Sequence, residues 1–124
     1  AHNVASMESL VKTLSDQSSL PKKRVLVFAA SADKQLGAML RASKTFFSDI
    51  VLTRYATNPR AATITRLRKA AEEGGWREPH VAASPTEAVM VGKRLSGGKG
   101  LLCIAGSFFL ATEVRAVLTS LINS

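Results

Sequence analysis

Two polar clusters follow directly on apolar runs, and both are placed to do chemistry. Ser31-Ala32-Asp33-Lys34 comes after Val25-Leu26-Val27-Phe28-Ala29-Ala30. A carboxylate and an amine side by side at a strand end could bind a metal–nucleotide complex or a charged substrate. Alternatively, Ser31 or Asp33 simply caps the next helix. Gly106-Ser107 comes after Leu101 to Ala105. Gly106 permits a tight turn, and Ser107 would open a helix whose free N–H groups attract carboxylates and phosphates. The same pair also reads as an ordinary cap. It is not a nucleophile elbow, because the flanking pattern and a triad are missing.

Other candidates are more isolated. His2 and Asn3 precede the first helix. His2 could serve as a ligand or proton carrier, or be an exposed terminal histidine. Asn58-Pro59-Arg60 presents a guanidinium on a loop, suited to a carboxylate or phosphate or merely to solvent. Two separated histidines and one apolar-flanked cysteine, Cys103, do not make a zinc site. His80 reads as structural or solvent-facing, and Cys103 as structural, since nothing in the sequence would lower its pKa.

The elements that must position these groups follow from apolar periodicity. Met7, Leu10, Val11 and Leu14 mark one helical face, and Leu36, Met39 and Leu40 begin another. Ile64, Leu67 and Ala71 mark a third, closed by Gly74-Gly75. Ser84-Pro85 starts a fourth, carrying Ala88, Val91 and Leu95 and ended by Gly97-Gly98. Val114, Val117, Leu118 and Leu121 predict a last helix. Strands are expected near residues 24–30, 49–53, 80–82 and 101–105. A helix followed by four strand–helix units predicts an α/β fold: a mostly parallel sheet with helices on both faces. Ligands meet such sheets at the carboxyl ends of the strands, where strand order reverses. His2, Asp33 and Ser107 are therefore expected along one edge.

Composition narrows the function classes. The 124 residues suit one domain, and 46% hydrophobic residues exclude a disordered chain. No apolar stretch reaches the roughly 20 residues of a membrane span. One cysteine cannot form an internal disulfide, so a cytoplasmic setting is expected. The net charge of +8 suits a small anionic substrate, nucleic acid or an acidic surface. The basic residues are spread along the chain without interleaved aromatics, which counts against a single-strand nucleic-acid platform. There is no Gly-x-x-x-x-Gly-Lys-Ser/Thr loop and no Gly-x-Gly-x-x-Gly fingerprint. Gly97-Gly98-Lys99-Gly100 lies between a helix and a strand, the wrong order for cradling phosphate.

Against that background several segments resemble one family in order along nearly the whole chain. Ala1-His2-Asn3-Val4 is similar to the end of the Asp-Gly-Ala-His-Asn-Pro motif. That motif opens the C-terminal domain of folylpolyglutamate and dihydrofolate synthases, in the Mur ligase superfamily. Ser31-Ala32-Asp33-Lys34 resembles the family's Ser-x-Asp-Lys-Asp segment, and Asn58-Pro59-Arg60-Ala61-Ala62 its Arg-Ala loop. Gly106-Ser107 through Glu113-Val114 resembles its final turn and helix. Val4 stands where proline is usual, and Gln35 where a second acid is common.

The resemblance implies a Rossmann-like domain, residues 1–124, cut from a longer ligase and inactive alone; the start at Ala1 agrees. It implies that ATP and Mg act in the intact enzyme, through a missing N-terminal ATPase domain that phosphorylates a folate carboxylate. The amine of L-glutamate then attacks to give an amide. His2 and Asn3 would face the nucleotide and metal. Ser107 would hold the incoming glutamate, with Asp33, Lys34 and Arg60 along the same cleft. The alternative is a basic, non-catalytic module for nucleic acid or another anionic partner.

Overall fold

The computed structural model describes residues 3–17, 20–32, 34–55, 59–97 and 99–106. The expected last helix therefore lies outside the described residues, as do His2, Asp33, Asn58 and Ser107. The elements run α1 (Val4–Ser15), β1 (Arg24–Ala29), α2 (Leu36–Lys44), β2 (Asp49–Leu52), α3 (Ile64–Glu73), β3 (His80–Val81), α4 (Pro85–Ser96) and β4 (Leu101–Gly106). They match the four helices and four strands expected up to residue 106.

Three helix starts follow from local side-chain chemistry. Asn3 Oδ1 accepts from the Ser6 N–H at 2.7 Å, and Thr63 Oγ1 from Arg66 N–H at 3.2 Å. Ser84 Oγ accepts from Glu87 N–H at 3.2 Å, while Glu87 Oε2 accepts from Ala83 N–H. In each case the capping oxygen pairs a helix donor that would otherwise be free. α4 ends on Gly97 at φ 68°, a left-handed position that glycine fills without strain. α2 differs: its N-cap, Gln35, makes no side-chain cap.

The four strands are parallel, in the order β3-β2-β1-β4. From β1 the chain moves outward to β2 and β3, then returns across β1 to β4. Right-handed crossovers require a connecting helix to change faces when the direction of travel reverses. The packing agrees. Leu26, Phe28, Ile50 and Leu52 pack on one face with Met7 of α1, Met39 and Leu40 of α2 and Leu67 of α3. Val25, Val27 and Val51 pack on the other with Ala88, Val91 and Leu95 of α4. β1 is covered on both faces, so five of its six residues are buried, which explains its unbroken apolar sequence.

α2 and α3 meet closely. A Cβ on Gly74 would stand 2.7 Å from the backbone nitrogen of Arg41, which cannot swing aside. Trp76 locks the same junction, its Nε1 donating to Leu40 O at 3.1 Å while Lys44 Nζ lies 4.6 Å from the ring centroid. Gly74→Ala is therefore expected to destabilise by about 1–3 kcal/mol, the usual range for overpacking. Urea denaturation checks this, and an unchanged midpoint would contradict the close approach.

At the amino edge of the sheet Lys23 Nζ lies 2.8 Å from Asp49 Oδ2. Burial pushes the Asp49 carboxyl up. Hydrogen bonds from Lys23 and Ser48, with the charges of Lys23 and His80, more than offset this, so the group ends below its ordinary 3.8. A depressed folded value means a contribution present above that pH and lost as pH falls below it. Lys23 is half exposed, so the contribution is under about 1 kcal/mol. Asp49→Asn should lower the melting temperature slightly at neutral pH and show a shallower loss as pH falls below the ordinary carboxylate value, as thermal melts would reveal.

Candidate functional site

The reversal of strand order falls between β1 and β4. Their register pairs Phe28 with Ala105 and Ala29 with Gly106, so the two carboxyl ends lie side by side. A parallel α/β sheet opens its binding crevice at such a place. The backbone then builds the edge further. Ser31 and Ala61 form an antiparallel bridge, with Ala32 N–H donating to Arg60 O at 2.7 Å and Ala62 N–H to Ala30 O at 2.9 Å. This pairing fastens the Pro59–Ala62 segment beside the end of β1. Lys34 follows by a turn, its N–H donating to Ser31 O at 3.2 Å. Ser31, Lys34, Arg60 and Gly106 are therefore gathered at one edge, although Arg60 is distant from the others in sequence.

The alternative of Ser31 as the cap of α2 does not hold, because Gln35 occupies that position without a side-chain hydrogen bond. Asn3 spends its side-chain oxygen on α1, leaving its amide N–H donors for any further role. His2, Asp33 and Ser107 lie outside the described residues.

Some of the basic residues are held by partners and others are not. At the amino edge Lys23 pairs with Asp49, and Arg24 Nε donates to Pro21 O at 2.8 Å with its guanidinium 4.2 Å from the Phe46 ring centroid. Arg41 bonds Glu73 O at 3.0 Å, and Lys44 covers Trp76. At the carboxyl edge the half-buried Lys34 and the exposed Arg66 have no hydrogen-bond or ion-pair partner among the described residues. Arg54, directly beyond β2, buries its Nε without a partner, and its neighbour Thr53 buries a hydroxyl in the same state. Unpaired buried donors each cost about 1–3 kcal/mol and call for an explanation.

α3 adds a second electrostatic oddity. Its first six residues carry Arg66, Arg68 and Lys69, and its end carries Glu72 and Glu73. The helix dipole favours the opposite order. The arrangement sacrifices a little helix stability and makes the N-terminal end more positive, beside Arg60 and the end of β2. Sequence reading missed Arg54, Thr53 and this inversion. The inverted order was visible as Arg66-Leu67-Arg68-Lys69 before Glu72-Glu73, but the unpaired donors required the packed structure.

Cys103 is half-buried, and burial pushes its thiol up, which keeps it protonated and unreactive. Among the described residues no three His, Cys, Asp or Glu side chains come together as a metal site. No described helix is long and apolar enough to cross a membrane.

Comparison with known proteins agrees with this architecture. The chain is similar to folylpolyglutamate synthase of Mycobacterium tuberculosis, solved with ADP and AMPPCP, at 26% identity and a TM-score of 0.85, over 94% of this chain and 28% of that one. It is similar to folylpolyglutamate synthase of Thermotoga maritima at 26% identity and a TM-score of 0.75, over 96% of this chain and 26% of that one. The fold also matches Escherichia coli FolC, solved with DHPP and ADP, at 21% identity and a TM-score of 0.80, over 97% of this chain and 27% of that one. The chain thus spans little more than a quarter of these relatives. A search of curated proteins finds no match. The family model described as Mur ligase, glutamate ligase domain, matches residues 1–108, and the chain belongs to that family.

Proposed function

We propose that this chain serves as the glutamate-binding C-terminal domain of an ATP-dependent folylpolyglutamate synthase-type ligase. The observation that carries this reading is the gathering of Ser31, Lys34, Arg60 and Gly106 at the carboxyl ends of β1 and β4, in a chain that belongs to the glutamate ligase domain family. A dicarboxylate such as L-glutamate would reach the unpartnered Lys34, with Arg60 adding positive charge beside it, through charge-assisted hydrogen bonds stronger than neutral ones. Ser107 would follow Gly106 into the same crevice and donate to a substrate carboxylate. Asp33, next to Lys34, would orient that amine or the substrate's own ammonium group. His2 and Asn3 would meet the nucleotide side.

ATP with Mg would supply the activation of a folate carboxylate. The electropositive edge suits polyphosphate in charge, but the sequence has no strand-to-helix phosphate loop. The nucleotide would therefore be held chiefly by another domain of a longer chain, and this one would contribute the acceptor amino acid. A cytoplasmic setting accords with the free, protonated Cys103. The nucleic-acid reading has little support: Phe28, Phe46, Phe47 and Trp76 are buried, which leaves Tyr55 the one aromatic off the core among the described residues.

Two outcomes are expected. The purified 124-residue chain should neither hydrolyse ATP nor form amide bonds; turnover by contaminant-free protein would overturn the assignment. In a full-length ligase carrying this domain, Ser107→Ala should raise KM for glutamate well above any change in KM for ATP. Losing one hydrogen bond to a carboxylate costs about 1.5–3 kcal/mol, or roughly tenfold or more in affinity. Steady-state kinetics with each substrate varied would check it, and unchanged glutamate kinetics would remove Ser107 from the site.

A further inference from the structure

Two stretches that the crevice does not use meet at the opposite edge of the sheet. Lys22-Lys23 leads into β1, and Lys99-Gly100 leads into β4. Parallel pairing sets Arg24 beside Leu101, and Leu101 N–H donates to Lys23 O at 2.9 Å. Gly100 is enclosed there: a Cβ on it would stand 2.6 Å from Ser96 O and 2.8 Å from Lys23 O. The glycine therefore lets the end of α4 close onto the approach to β1. The last turn of α4, with Lys93 and Arg94, ends at this junction. Lys22, Lys93, Arg94 and Lys99 are exposed and have no side-chain hydrogen-bond or ion-pair partner among the described residues. Asp49 is already engaged by Lys23 at 2.8 Å. The negative end of the α4 dipole accounts for Lys93 and Arg94. It does not account for Lys22 and Lys99, which lie outside any helix. Met90 precedes Lys93 and Arg94 by three and four residues, so all three share the outward face of α4, and Met90 is 58% exposed.

We propose that this face docks peripherally on a membrane surface rich in acidic phospholipid. Three features select that partner. The charges lie on an open surface, so a single small anion gains little from them, whereas a sheet of headgroups meets them together. Apart from Arg94 the cations are lysines, point charges on flexible stems rather than the planar forks suited to reading a nucleic-acid backbone. Met90 adds an exposed apolar side chain beside them, which gains by entering the headgroup boundary and gains nothing from a phosphodiester chain. β4 runs from this face at Leu101 to the crevice at Gly106, about 17 Å at the usual strand rise. Docking would therefore leave the crevice open to solvent, and the inference does not depend on the function proposed above.

Co-sedimentation of the 124-residue chain with vesicles tests the proposal. The vesicles are phosphatidylcholine alone or phosphatidylcholine mixed with phosphatidylglycerol, and a short DNA duplex serves as the competing polyanion. The variants are Lys22→Gln/Lys99→Gln, Met90→Ser, and Arg68→Gln/Lys69→Gln, the last removing the same charge from exposed positions of α3. The native chain should bind the mixed vesicles, stay free of phosphatidylcholine alone, and be released by added salt. Lys22→Gln/Lys99→Gln should weaken vesicle binding at least about tenfold and Met90→Ser about threefold. Arg68→Gln/Lys69→Gln should weaken it less than about twofold. No binding to the mixed vesicles, equal binding to both kinds, or equal losses in the two charge variants would each overturn the proposal. So would unchanged vesicle binding by Met90→Ser. Tighter binding of the duplex than of the mixed vesicles, lost in Lys22→Gln/Lys99→Gln, would reject the membrane and assign the face to nucleic acid.

Discussion

The structure depends on the handedness of its crossovers. β1 is laid down first, the chain travels outward through β2 and β3, and it must return to place β4 on the free side of β1. Reversing direction forces α4 onto the opposite face from α2 and α3. That one requirement covers β1 on both sides, makes it the apolar centre of the domain, and sets the carboxyl ends of β1 and β4 side by side at the reversal of strand order. The crevice follows from topology before any side chain is considered. Side chains then decide what it can hold.

The net charge of +8 is handled residue by residue. Lys23, Arg24, Arg41 and Lys44 are tied to a carboxylate, carbonyl oxygens and aromatic rings, while Lys34 and Arg66, near the carboxyl edge, have no side-chain partner among the described residues and Arg54 buries an unpaired Nε. Unpaired buried donors and a helix whose charges oppose its dipole both weaken the folded state. Structural needs alone would have favoured pairing them. The anionic ligand proposed above would complete these interactions, in keeping with the chain's membership in a family of glutamate ligase domains.

Much of the architecture was legible in the sequence because its signals are local or periodic. The apolar run of β1, the Ser84-Pro85 start of α4 and the Gly74-Gly75 end of α3 each state their structure within a few residues. Lys34 and Arg60 were also visible, as polar residues after an apolar strand and in a proline turn. Their proximity was expected only through the family resemblance, because it depends on the bridge between Ser31 and Ala61, a pairing across 30 positions that leaves no periodic trace. Arg54 and Thr53 were passed over for a related reason. An arginine reads as surface until the packing shows that its Nε is enclosed and unpaired. The cap of α2 is a smaller instance: Ser31 has the right chemistry, but the helix starts four residues later at Gln35. His2, Asp33 and Ser107 rest on the sequence and its family resemblance.

The most direct test of the central claim is a nuclear magnetic resonance titration of the 124-residue chain with L-glutamate at low salt. Backbone amides of Ser31, Lys34, Arg54, Arg60 and Arg66 should shift together and saturate with a single affinity. Those of Lys23, Arg24, Lys44 and Asp49, at the opposite edge, should stay in place. Shifts spread evenly over both edges, or confined to the amino edge, would show that the carboxyl edge does not form an anion site and would contradict the account.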